Sequence, residues 1–252
     1  MTPKFFLEKG IYSIMGKLFD LDSPLMQFLS RMADLMILNL VTLLFMIIPF
    51  TGGAALTGMH YVLLKMVRNE ENYIIKGFWK SFKENFKQST IIWIIVCVIA
   101  FVLGMDYYMV YQLAGEFSRI YVIVLLAVTL FAYMTFLYVF PLQSRFVNTV
   151  SRTLRNAVMM MILGLPRTIL MVVISAVPVI LLYFFDIRII PLLVLFGFTL
   201  PAYGMAYLYN GLFKRFEPEE EEQLSEEEEL NKAIRALDEG TEETSEKSED
   251  NN

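Results

Sequence analysis

YIIKGFWKSFKENFKQST, residues 73–90, is the stretch on which the fold turns. At helical spacing Ile75, Phe78, Trp79, Phe82 and Phe86 share an arc of about 100°. Lys76, Lys80, Lys83 and Lys87 form a tighter row on one flank. An aromatic face beside a lysine row is the pattern of a helix lying in a membrane interface. The rings then sit among acyl chains and the ammonium groups at anionic headgroups. An amphipathic helix on a soluble core would show a similar wheel. The purely apolar run that opens at Thr90 decides for the membrane. Lys76, Phe78, Trp79, Lys80, Phe82, Lys83, Phe86 and Lys87 are therefore the expected membrane-surface residues.

Composition agrees. The chain has 252 residues, 56% of them hydrophobic, with 21 Phe and 16 Met, against roughly 45–50% apolar in a soluble domain. The net charge of −5 averages two unlike parts. Residues 216–252 hold 16 acidic and 3 basic side chains, and residues 1–215 hold 10 acidic and 18 basic. A basic membrane body carries an acidic tail. The tail reads as largely disordered, with a short amphipathic helix possible over 225–237, where Ser225 and Glu228 form a capping box. The N-terminus lacks the short design of a cleavable signal, since its first apolar block ends near Phe50.

Working outward, the pattern predicts an all-α polytopic bundle of about six transmembrane helices with amphipathic interfacial helices on the cytoplasmic side. Residues 1–24 form an N-terminal interfacial segment. Spans are expected at about 25–49, 53–68, 90–105, 119–141, 168–185 and 189–212. Ser23-Pro24 starts the first, a capping side chain before a proline. The second is short for a span, and its small residues Ala54 and Gly58 suit close packing on the first. Pro166 marks a break or a new first turn, Pro178 a kink, and Pro201 an interruption of the sixth span. With both termini cytoplasmic, every basic loop falls inside and only Arg119 and Arg188 lie at outer ends, as the positive-inside bias requires.

Polar groups within the spans are the candidate sites. Asp34 lies inside the apolar layer, where an unpaired carboxylate is costly. It is expected to pair with Arg31, Lys65 or Arg68, the last favoured for its bidentate fork. Asn39 and His60 are candidate pore or core polar residues. His60 is the only histidine and Cys97 the only cysteine, which excludes most zinc sites, any disulfide within the chain and most nucleophile–histidine pairs. Asp106, Glu116 and Asp186 are scattered on the outer side without a histidine. No enzyme, cofactor or nucleic-acid partner is expected.

Several segments resemble the YesL-like family of bacterial membrane proteins. They are Gly53-Ala54-Ala55-Leu56-Thr57, the run Phe78 to Gln88, Phe140-Pro141-Leu142 with Arg145-Phe146, Arg155-Asn156-Ala157, Leu165-Pro166 with Thr168, and Pro201-Ala202-Tyr203. Gln143-Ser144 departs from the Leu-Ala expected there, and the acidic tail lies outside the pattern. The resemblance implies a bacterial cytoplasmic-membrane protein, often encoded beside sugar ABC-transport and glycan-utilisation genes, and brings no catalytic or binding residues. Two functions follow as expectations. One is a non-enzymatic accessory component of carbohydrate uptake or its sensing, partnered by anionic lipid and by a sugar ABC permease, another membrane subunit or a second copy. The other is a small secondary transporter or channel, which the proline breaks suit.

Overall fold

The computed structural model describes residues 23–70, 73–113, 117–146 and 148–216, and all regular structure among them is helical. The N-terminal interfacial segment and the acidic tail lie outside the described residues. The chain divides into two compact units, 1–210 and 211–252. In the second, the described residues complete the last helix and a following turn.

Helix α1 spans Pro24–Met46, and Ser23 caps it by accepting from the Met26 amide at 3.2 Å. Helix α2 spans Gly52–Val67, α3 spans Ile74–Gln112, and α4 spans Arg119–Arg145 behind a Ser118 cap. Helix α5 spans Val150–Leu163 and α6 spans Leu165–Phe185. A short 3-10 turn at Asp186–Ile189 leads to α7 (Ile190–Phe196) and α8 (Thr199–Phe213). Four apolar stretches are long enough to cross a membrane: Pro24–Met46, Ile74–Gln112, Arg119–Arg145 and Leu165–Phe196. Exposed Ile94, Phe101, Ile123, Leu130, Val173 and Ile180 give the last three an apolar outer surface.

Three boundaries differ from the sequence expectation. The lysine-row segment and the third span are one helix of 39 residues, about 58 Å long. No proline interrupts it, and a change of environment at Thr90 does not bend a backbone whose hydrogen bonds are internal. Its two halves therefore share an axis, and the lysine half cannot lie flat in the interface while the other half crosses. Helix α4 continues through Pro141 to Arg145. Pro201 is the third residue of α8, in a first turn that needs no i−4 donor; the break lies at Gly197-Phe198.

Helix α2 is the most enclosed element, with every residue from Gly52 to His60 buried. Its glycines Gly53 and Gly58 pack on α3. A Cβ on Gly58 would meet the Phe78 ring at 3.0 Å, and one on Gly53 would collide with the Ser89 carbonyl. Thr57 and Ser89 hydroxyls meet at 2.8 Å. The turn between α1 and α2 rests on α3 at its middle: Thr90 Oγ1 donates to Phe50 O at 3.1 Å and Trp93 Nε1 to Pro49 O at 2.8 Å.

Contacts step along neighbouring helices in opposite directions. Between α3 and α4 they are Gln88 with Gln143, Trp93 with Phe140, and Tyr107 with Thr129. Between α4 and α6 they are Tyr138 with Thr168 and Tyr133 with Ser175. Arg31 reaches both Asn69 and Tyr203, so the start of α1 lies beside the end of α2 and well along α8. Among the described residues, neighbouring helices α1, α2, α3, α4 and α6 thus run in alternating directions. Lys65, Arg68, the lysine row, Arg145 and Arg167 gather at one end, and Arg119 and Arg188 at the other.

Candidate functional site

Helices α2, α4, α6 and α7–α8 line a half-open cavity of about 390 Å³. Its walls are mostly apolar, with Leu56, Phe136, Phe140, Leu182 and Met205 among them. Polar atoms enter at two places. His60 lines the cavity from α2, and its Nδ1 lies 3.2 Å from the Tyr209 hydroxyl with the rings edge to face. On the far side Tyr133 Oη donates to Ser175 Oγ at 2.8 Å, and that hydroxyl donates to Val172 O at 2.8 Å. Pro178 and Pro201 also line the wall.

Asn39 stands behind the broken wall of this cavity and is fully buried. Its Oδ1 accepts from the Phe198 and Thr199 amides, both at 3.0 Å, and its Nδ2 donates to Val194 O at 2.7 Å. One side chain thereby satisfies both ends of the interruption, the first amides of α8 and a carbonyl of α7. At membrane depth such groups must find protein partners, because lipid offers none. Thr199 Oγ1 adds a bond to Leu35 O at 3.0 Å. Asn39 is a core residue holding a helix break, and His60 is a buried, hydrogen-bonded one.

Among the described residues no ion pair joins Asp34 to Arg31, Lys65 or Arg68. Its candidate partners are engaged elsewhere: Arg31 with Tyr203 at 2.8 Å and Asn69 at 2.7 Å, Lys65 with Glu70 at 3.5 Å, and Arg68 with Asn210 at 2.9 Å. The physical reason is where the hairpin ends. Asn69 turns at φ 55°, in the left-handed region that asparagine tolerates, and presents its side-chain oxygen to Arg31. Asp34 is only half-buried, and Arg31, three residues earlier on the same helix, acts on its carboxylate through space.

The membrane-surface set divides. Phe78 and Phe82 do not reach acyl chains, being 1% and 6% exposed. They stack with Trp79 around Phe45 of α1, at centroid separations of 5.0 to 5.8 Å. An aromatic arc suits protein as well as lipid, and α1 covers this one. Trp79 and Phe86 keep substantial exposure, and Lys83 Nζ lies 5.0 Å above the Trp79 ring, a cation–π contact. Lys76, Lys80 and Lys87 remain at least partly exposed on the flank.

One cluster escaped the sequence reading. Buried Gln143 donates to Gln88 Oε1 at 2.7 Å and Asn85 Oδ1 at 3.2 Å, and accepts from Thr153 at 3.0 Å. It ties α3, α4 and α5 at the basic end. The available signal was Gln143 itself, a polar residue where leucine was expected. Among the described residues, no group of three or more His, Cys, Asp or Glu side chains could hold a metal ion.

Residues 35–107 match the sequence model of a family described as "Protein of unknown function, DUF624". The match takes in most of α1, all of α2 and α3 as far as Tyr107, and so includes Asn39, His60 and the lysine row. No curated protein and no solved structure matches the chain.

Proposed function

We propose that this is an integral protein of a bacterial cytoplasmic membrane, with six passes and both termini inside. It acts as a non-enzymatic accessory component in carbohydrate uptake or its sensing. The observation that carries this reading is the segregation of charge along alternating legs. Lysines and arginines of α2, α3, α4, α5 and α6 form one broad basic end, and the positive-inside bias assigns that end to the cytoplasm. Such a surface suits anionic headgroups or an acidic partner face, and no reactive constellation accompanies it. The resemblance to YesL-like proteins supplies the process and the bacterial setting. Purification in mild detergent from cells grown on different glycans tests it. Recovery of a sugar ABC permease in a glycan-dependent ratio is expected; a preparation holding no permease on any glycan counts against it.

The second reading, a small secondary transporter or channel, is favoured by one feature. The cavity is bounded by a discontinuous leg, α7–α8, and discontinuous helices beside a central site are common in transporters. Solute uptake by the pure protein in proteoliposomes would select this reading over the first.

A further inference from the structure

The cavity walls hold no Lys, Arg, Asp or Glu. A carboxylate or ammonium group inside would be desolvated without a counter-ion, which is strongly unfavourable. The polar atoms that do reach the cavity are short of donors. His60 spends Nδ1 on Tyr209, and its Nε2 has no partner among the described residues. The Tyr133 and Ser175 protons are already used. A ligand here needs an apolar body and one small neutral group that can both donate and accept.

We propose that the cavity binds a neutral single-chain amphiphile carrying a hydroxyl group, drawn from the surrounding bilayer. At about 30 Å³ per water-sized group, a cavity of about 390 Å³ holds a molecule of about a dozen heavy atoms. The hydroxyl bonds to His60 Nε2, in the sense its tautomer dictates, and the chain fills the space between Leu56, Phe136, Leu182 and Met205. Water bound at His60 would leave the apolar remainder of the walls uncovered. The proposal rests on the membrane reading above, but not on whether the protein is an accessory component or a transporter.

The test uses the full chain in phosphatidylcholine nanodiscs with a diazirine-bearing dodecanol as the probe. After irradiation, mass spectrometry of the digest locates the adducts. Adducts are expected on 56–60, 133–140, 175–182 and 193–205. Unlabelled dodecanol should suppress them, while dodecane competes about fivefold less well, the worth of about one hydrogen bond, and dodecanoate less well still, since its charge finds no counter-ion. His60→Phe should erase the advantage of dodecanol over dodecane while leaving cavity labelling in place. Adducts confined to outward faces such as 94–111, or equal competition by dodecane in the unmodified protein, would overturn the proposal. Failure to recover a permease would bear on the accessory reading alone.

Discussion

Asn39 and Thr199 are joined across the bundle by a hydrogen bond of 3.0 Å from the Thr199 amide to the Asn39 side-chain oxygen. The same oxygen accepts from Phe198, and the same side chain donates to Val194. Asn39→Leu strands two amides and a carbonyl, and each buried orphan costs about 1–3 kcal/mol. A fall in Tm of many degrees is expected in detergent. Asn39→Asp keeps the acceptor beside the amides of a helix start, where negative charge is favoured, and should recover part of the loss. Equal Tm for Asn39→Leu and the parent would show that the break is held by something else.

Gly53 and Gly104 make a matched pair within the family-matched region. A Cβ at Gly53 runs into the Ser89 backbone, while one at Gly104 meets nothing within 4 Å. Gly53→Ala should destabilise by about 1–3 kcal/mol through overpacking. Gly104→Ala should be neutral or stabilising by up to about 1 kcal/mol, because alanine is the better helix former. Thermal melts of the two variants in one detergent decide it. The opposite ranking would mean that α2 and α3 separate in solution.

The loss of the expected ion pair also has a measurable side. Asp34→Asn removes a charge with no ion-pair partner among the described residues and should change Tm little. Arg31→Ala removes two hydrogen bonds, to Tyr203 and Asn69, and should cost about 1–3 kcal/mol. If Asp34→Asn proves the more harmful, the carboxylate has a partner in the membrane-embedded protein.

Because the lysine half continues the axis of the span, its charges stand at graded heights. Lys87 is nearest the apolar half, and Lys76 is about 16 Å farther along the helix. Attraction to an anionic surface fades within a Debye length of about 10 Å. Glutamate at Lys83 and Lys87 should therefore weaken association with anionic lipid more than glutamate at Lys76 and Lys80. Native mass spectrometry of retained phosphatidylglycerol measures the difference. Identical retention in both double variants would favour a lysine half lying flat.

Local signals were legible where chemistry is local. Ser23-Pro24 does start α1, and Pro166 does sit in a new first turn. The crowding of basic residues at one end followed from the positive-inside bias. What stayed hidden depended on partners distant in sequence. Phe78 and Phe82 present the same arc to lipid or to Phe45, and only the course of α1 decides between them. Nothing in residues 31–34 announces that Asn69 and Tyr203 will claim Arg31. Pro201 looked like an interruption because proline breaks helix interiors, yet a first turn tolerates it. Asn39 read equally as a pore or a core polar residue because its amide partners lie some 160 residues away.

The unbroken α3 has a mechanical consequence. Pressed by the 47–53 turn near Ser89 and Trp93, it is a lever with its fulcrum near mid-length. The arm beyond Trp93 reaches about 28 Å, and the arm from Ile91, midway between Ser89 and Trp93, back to Lys76 is about 22 Å. A tilt of about 10° in the outer arm, from a change in bilayer thickness or a neighbour, sweeps the lysine tip sideways by about 4 Å. Motion on one side of the membrane is thus delivered to the other by stiffness alone.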